Sequence, residues 1–67
     1  MEMNSVNSSA ISHIGYDRDT KQMKITFKQG KTYDYCGVPE NIFDEFLNAS
    51  SVGKYYDKYI KDNYDCY

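Results

Sequence analysis

Sixty-seven residues with a formal charge of −2 make one small domain. A chain this short buries only about 60% of its unfolded surface, so each large side chain matters, and eight tyrosines and three phenylalanines supply the bulk without any tryptophan. No apolar run nears the roughly 20 residues of a membrane-spanning helix, and the opening MEMNSVNSSA lacks a basic stretch followed by an apolar one, so neither a membrane segment nor a signal peptide is expected and the expected location is cytoplasmic.

In chain order, residues 1–7 read as a flexible polar leader and residues 8–67 as a single domain. Ser8 to Asp17 is rich in β-branched and aromatic residues, but Ile11 falls on the opposite parity to Ile14 and Tyr16. That strand is therefore half-exposed, or bulged near Gly15. Asp17 to Thr20 supplies a polar turn. Met23 to Lys28 alternates cleanly, with Met23, Ile25 and Phe27 on one side and Lys24, Thr26 and Lys28 on the other, as in a half-buried strand. A third strand holds Tyr33 and Tyr35.

A first helix begins at Pro39, whose missing N–H suits the first helical position. It carries an apolar stripe of Ile42, Phe43, Phe46, Leu47 and Ala49 opposite Asp44, Glu45 and Asn48. A second helix is capped by Ser50 or Ser51, and Val52, Tyr56, Tyr59, Ile60 and then Asn63 or Tyr64 recur along it at helical spacing. Gly53 near its start would allow close approach to the sheet. The expected class is α+β: a three-stranded antiparallel meander followed by two helices packed on one face.

The turn between the second and third strands allows two registers. A two-residue Gln29-Gly30 loop would put Tyr33 and Tyr35 on the lysine-bearing face, as an open basic and aromatic platform. A type I turn over Phe27 to Gly30 instead sets Ile25 opposite Tyr33 and Met23 opposite Tyr35. Gln is a poor first residue of a two-residue hairpin loop, whereas Gly30 suits a left-handed bulge. The first register would also bury Thr32 and Asp34. The second register is favoured, with both tyrosines packed under the helices.

Cys36 and Cys66, 30 residues apart, are too few for a zinc site. They could form one bridge, but the cytoplasmic expectation favours free thiols. His13, the single histidine, reads as a surface residue, so no metal ligand is expected. Arg18, Lys21, Lys24, Lys28 and Lys31 face only Asp19 within their segment, whereas the chain from Asp34 onward is mostly acidic. No nucleophile–base pair, paired carboxylates or phosphate-binding glycine loop is present, so no catalytic residue, cofactor or enzymatic activity is expected.

Taken together and in order, Ser8-Ser9, Ile14-Gly15-Tyr16-Asp17, Tyr33-x-Tyr35, Val38-Pro39 and Ser51-Val52-Gly53-Lys54-Tyr55-Tyr56 resemble the KTSC domain, a family named for a C-terminal domain of some lysyl-tRNA synthetases and found also as stand-alone bacterial and phage proteins. The resemblance covers about Ser8 to Tyr64 and implies a small α+β module with no known catalytic activity, for which RNA binding has been suggested. Two functions are weighed. One is a protein-interaction module, for instance a phage-encoded inhibitor of a host system, acting as monomer or homodimer and using Asp44, Glu45, Tyr55, Tyr64 and Tyr67. The other is an RNA- or DNA-binding accessory module using Arg18, Lys21, Lys24, Lys28 and Lys31 with Tyr33 and Tyr35, and with Tyr16 as a further base contact. The acidic net charge tilts the reading toward interaction with protein.

Overall fold

The computed structural model describes residues 1–66. Four antiparallel strands lie in the order β1 (Met3–Ser5), β2 (Ile11–Asp17), β3 (Gln22–Phe27) and β4 (Thr32–Tyr35), followed by α1 (Glu40–Leu47), α2 (Val52–Tyr55) and a π-helical turn, Tyr56–Ile60. The class is the expected α+β, with one strand more than the meander read from the sequence. The extra strand comes from the segment read as a flexible leader. Met3 pairs with Gly15 and Ser5 with His13. Gly15 makes room for this, because a Cβ there would overlap the Met3 sulfur and crowd the Glu2 carbonyl.

The hairpin register is the one favoured from turn chemistry. Met23 faces Tyr35, and Ile25 faces Tyr33. Phe27 N–H donates to the Lys31 carbonyl (2.8 Å) and Gly30 N–H to the Phe27 carbonyl (2.9 Å), with Gly30 at φ +98°, a conformation open to glycine at little cost. The bulge in β2 falls at Ser12 rather than near Gly15: Ile11 pairs with Phe27 and His13 with Thr26. The extra residue restores parity, so Ile11 and Ile14 both reach the core, and Ser12 Oγ donates to the Thr26 carbonyl (3.3 Å).

Pro39 precedes α1 as its cap residue, with ψ 147°, instead of forming its first turn. Its carbonyl accepts from the amides of Ile42 and Phe43. Phe43 and Phe46 are the buried part of the apolar stripe. Ser51 caps α2 by accepting from the Lys54 amide (3.3 Å). A Cβ on Gly53 would meet nothing nearer than Ser8 Oγ at 3.8 Å, an ordinary contact, so that glycine answers no need for close approach.

The second helix departs most from expectation. After one α turn it widens, and Lys61 N–H donates to the Tyr56 carbonyl five residues back (2.8 Å). The extra residue turns the following side chains backward around the axis. Val52 and Ile60 are both buried, while Tyr59, expected on the core face, is 44% exposed. The helix ends at Ile60 rather than near Tyr64, and Asp62 at φ +64° reverses the chain. The tail returns to β4: Asp65 bridges Tyr35, and Cys36 N–H donates to the Tyr64 carbonyl (2.8 Å). Cys36 and Cys66 are joined in a disulfide, which corrects the expectation of free thiols. The tail brings the two cysteines together, and that return path is invisible in their spacing. One core collects Ile11, Ile14, Met23, Ile25, Tyr35, Val38, Phe43, Phe46, Val52 and Ile60.

Candidate interaction surface

The aromatic residues form a row across the sheet and second helix. Tyr33, Phe27, Tyr56 and Tyr35 meet edge to face, at centroid distances of 5.6, 5.3 and 6.1 Å. Tyr35 is 6% exposed, and its hydroxyl lies 2.9 Å from that of Tyr56. Burial, and next this hydrogen bond, push the Tyr35 phenol far above its usual range. Tyr33 shares the face but remains 45% exposed. The expectation that both rings lie under the helices therefore holds for Tyr35 and fails for Tyr33, because β4 is the sheet edge and the helical cover ends at Tyr56. Tyr16 is not free to contact a base: it stacks on Phe43 at 4.7 Å, donates to the Val38 carbonyl, and its phenol is pushed up chiefly by burial.

The basic segment does not become one basic face. Arg18 pairs with Glu40, and Lys24 Nζ lies 3.7 Å from Asp34. Lys21, at φ +60°, sits with Arg18 at one end of β3, and Lys28 and Lys31 sit at the other. Six residues of strand separate these ends by about 20 Å. An antiparallel hairpin divides what the sequence holds together. Among the described residues, Lys28 and Lys31 have no carboxylate partner.

The proposed acidic and aromatic contacts also divide. Asp44 borders a cleft with Glu2, Tyr16 and Arg18. Glu45, on the other side, accepts a hydrogen bond from the Tyr55 hydroxyl (3.1 Å). Tyr55 is half-buried rather than fully exposed, stacked on Phe46 at 5.6 Å and tilted against Tyr59 at 4.6 Å. Burial first, and then the bond to Glu45, push its phenol up to about 12. Tyr64 is half-buried against the core, and Tyr67 lies outside the described residues.

Glu45, Ala49, Lys54, Tyr55, Lys58 and Tyr59 line an open groove of about 530 Å³, and Lys58 Nζ stands 5.3 Å from the centre of the Tyr59 ring. Sequence reasoning reached Glu45 and Tyr55. It missed Tyr59 and Lys58, since helical periodicity put Tyr59 inside and no sequence signal marks the π turn that brings it out. The motif serines have local roles: Ser8 Oγ accepts from the amides of Ala10 and Ile11, and Ser51 caps α2.

Comparison with known proteins gives a consistent picture. The crystal structure of a KTSC domain protein from Yersinia pestis superposes with a TM-score of 0.94 at 39% identity, over 98% of this chain and 93% of that one. A protein of Tsukamurella paurometabola is 37% identical over 62 residues, 92% of each chain. A lysine–tRNA ligase of Nostoc punctiforme is 32% identical over 56 residues, which are 84% of this chain and only 10% of the ligase. The model of the KTSC domain matches residues 7–64, and the chain belongs to the KTSC domain family.

Proposed function

We propose that the domain is a non-enzymatic protein-interaction module whose contact surface is the groove of Tyr55 and Tyr59. The observation that carries this reading is the exposed Tyr59 ring, held against Tyr55, which is itself stacked on buried Phe46. A large amphipathic ring on a rigid base loses little side-chain entropy on binding, and tyrosine is enriched in binding hot spots. Glu45, Lys54 and Lys58 form a charged rim, which favours orientation over raw affinity. The proposed setting is cytoplasmic, and there the Cys36–Cys66 bond is an exception among reduced thiols.

Affinity capture from nuclease-treated lysate, run in parallel with wild type and Tyr59→Ser, tests the reading. A partner retained by wild type and reduced at least about tenfold by the substitution is expected, since a hot-spot tyrosine contributes roughly 2 kcal/mol. Equal retention by a folded Tyr59→Ser protein would refute it.

A second reading keeps nucleic acid as the ligand of Lys28, Lys31 and Tyr33. It is favoured by the lack, among the described residues, of a carboxylate partner for the two lysines and by the exposed Tyr33 ring two residues beyond Lys31. Two or three phosphate contacts predict weak binding whose log affinity falls with log salt at a slope of about −2. Polarisation titrations of short RNA and DNA at two salt concentrations decide it, and no binding at low salt removes it.

A further inference from the structure

The tail after Ile60 lies on the body but contributes little to its core. The bridge between Tyr35 and Asp65 sets it antiparallel beside β4, and Cys36 N–H donates to the Tyr64 carbonyl (2.8 Å). Asn63 bonds back to the helix end, its amide to the Ile60 carbonyl (3.1 Å) and its Nδ2 to the Tyr59 carbonyl (2.8 Å). Lys61, Asp62, Asn63 and Asp65 are exposed. Among the described residues, the core takes none beyond Ile60, and Tyr64 packs against it half-buried. Asp62, at φ +64°, sits in the left-handed region, which is unfavourable for a residue with a side chain.

Ordering residues 61–66 costs more conformational entropy than one strand bridge and one half-buried ring return. The Cys36–Cys66 bond makes up the difference, because it keeps the tail beside β4 whatever its other contacts do. Neither cysteine is buried, so a thiolate can approach their sulfurs. We propose that Cys36–Cys66 is a reducible latch, opened by a dithiol of the thioredoxin class, that sets whether residues 61–66 lie on β4 or hang free. One thiolate of the dithiol attacks a sulfur of the pair, the S–S bond breaks, and the other cysteine leaves as a thiolate. The second thiol of the reductant then resolves the mixed disulfide. The protein gains two electrons and two protons, and the reductant departs as a cyclic disulfide. With the tail free, the two thiols meet only at the effective concentration of a flexible chain end. The bond is therefore easier to reduce than one held between two rigid elements. Opening uncovers the Cys36 N–H and the surface under Tyr64, and the body up to Ile60 keeps its core. The latch uses no residue lining the groove of Tyr55 and Tyr59, so either can fail without the other.

The probe is dithiothreitol, titrated into the isotope-labelled oxidised protein and followed by NMR. Reduction is expected to quicken amide exchange at Cys36 at least about tenfold, as local opening replaces a held hydrogen bond. Residues 61–66 should move to the shifts of an unstructured chain, while Met23, Ile25 and Phe46 stay protected. Reoxidation with oxidised glutathione should restore the closed spectrum, and equimolar reduced thioredoxin should open most of the population. Cys36→Ser with Cys66→Ser should show the open spectrum without reductant and should not respond to it. A tail still protected after the bond is reduced, loss of protection throughout the sheet, or a bond intact at equimolar thioredoxin would overturn the proposal. The titration uses the unaltered chain, so it does not depend on any variant folding.

Discussion

Tyr35 and Tyr33 stand two residues apart on the same face of the same strand, and the structure treats them in opposite ways. Tyr35 is 6% exposed, hydrogen-bonded to Tyr56 and flanked by the returning tail, whereas Tyr33 is 45% exposed and touches only the edge of Phe27 among the aromatic rings. Parity put both on the helical face. What separates them is how far the helical layer reaches along β4. One end of the strand is core, and at the other the Tyr33 ring stands exposed.

The sharpest way to break this comparison is truncation of each ring. Tyr35→Ala removes a buried ring and leaves the Tyr56 hydroxyl without its partner. Loss of a large buried aromatic costs about 3–5 kcal/mol, against the roughly 3–10 kcal/mol that a domain of this size has in total. Urea denaturation should show a protein largely unfolded at 37 °C. If Tyr35→Ala melted within a few degrees of wild type, the covered end would not be the core that its burial implies.

Opening the tail is the next largest change. The disulfide spans 30 residues of sequence, and a cross-link of that length removes about 3–4 kcal/mol of chain entropy from the unfolded state. The double substitution Cys36→Ser with Cys66→Ser should lower the urea midpoint accordingly. Amide exchange should quicken at Tyr35 and Cys36 well before it changes at Met23 or Ile25. A uniform change across the sheet would mean that the tail stabilises the whole fold and not the covered end of β4.

The hairpin was legible because its turn chemistry is local. Gln29 and Gly30 choose between two registers, and the choice fixes the face of every residue in β4. The first helix was legible for a similar reason: Pro39 marks its start to within one residue, and the apolar stripe names Phe43 and Phe46. Three features were not legible, because each depends on contacts distant in sequence. β1 lies against Gly15, where a Cβ would crowd Met3 and Glu2, and nothing in MEMNS alternates strongly enough to announce a strand. The π turn inserts one residue into a pattern read with a period of 3.6, which moved Tyr59 from inside to outside. The disulfide depends on Asp62 reversing the chain, a conformation that asparagine and aspartate tolerate but do not advertise. The basic run shows the converse error: neighbours in sequence became opposite ends of β3.

Alkaline pH probes the two buried phenols at a smaller scale. Both Tyr35 and Tyr55 hold their protons more tightly in the folded chain than near the ordinary value of 10. Between about pH 10 and 12 the folded state therefore binds more protons than the unfolded state, and stability falls as pH rises. Their contribution is complete below pH 10. The urea midpoint, flat from pH 8 to about 9.5, should decline above 10. Tyr55→Phe should remove its share of that decline between about 10 and 12 while leaving the loss due to Tyr35, which continues to higher pH. An unchanged slope in Tyr55→Phe would show that neither burial nor Glu45 holds its phenol above the ordinary range.

The smallest effect belongs to the open end and is the most discriminating. Tyr33 loses one edge-to-face contact with Phe27 on truncation, a pair worth about 0.5–1.5 kcal/mol when packed and less with the ring nearly half in water. Tyr33→Ala should cost about 0.5 kcal/mol, and Tyr33→Phe nothing measurable, since among the described residues its hydroxyl makes no hydrogen bond. Combined with Phe27→Leu, Tyr33→Ala should show a coupling of the same small size in a double-mutant cycle. A cost above about 2 kcal/mol would place the ring in the core after all. A neutral substitution that nonetheless weakens ligand capture would locate function at the uncovered end of β4, because a ring that stabilises nothing in the isolated chain has only a contact outside it to serve.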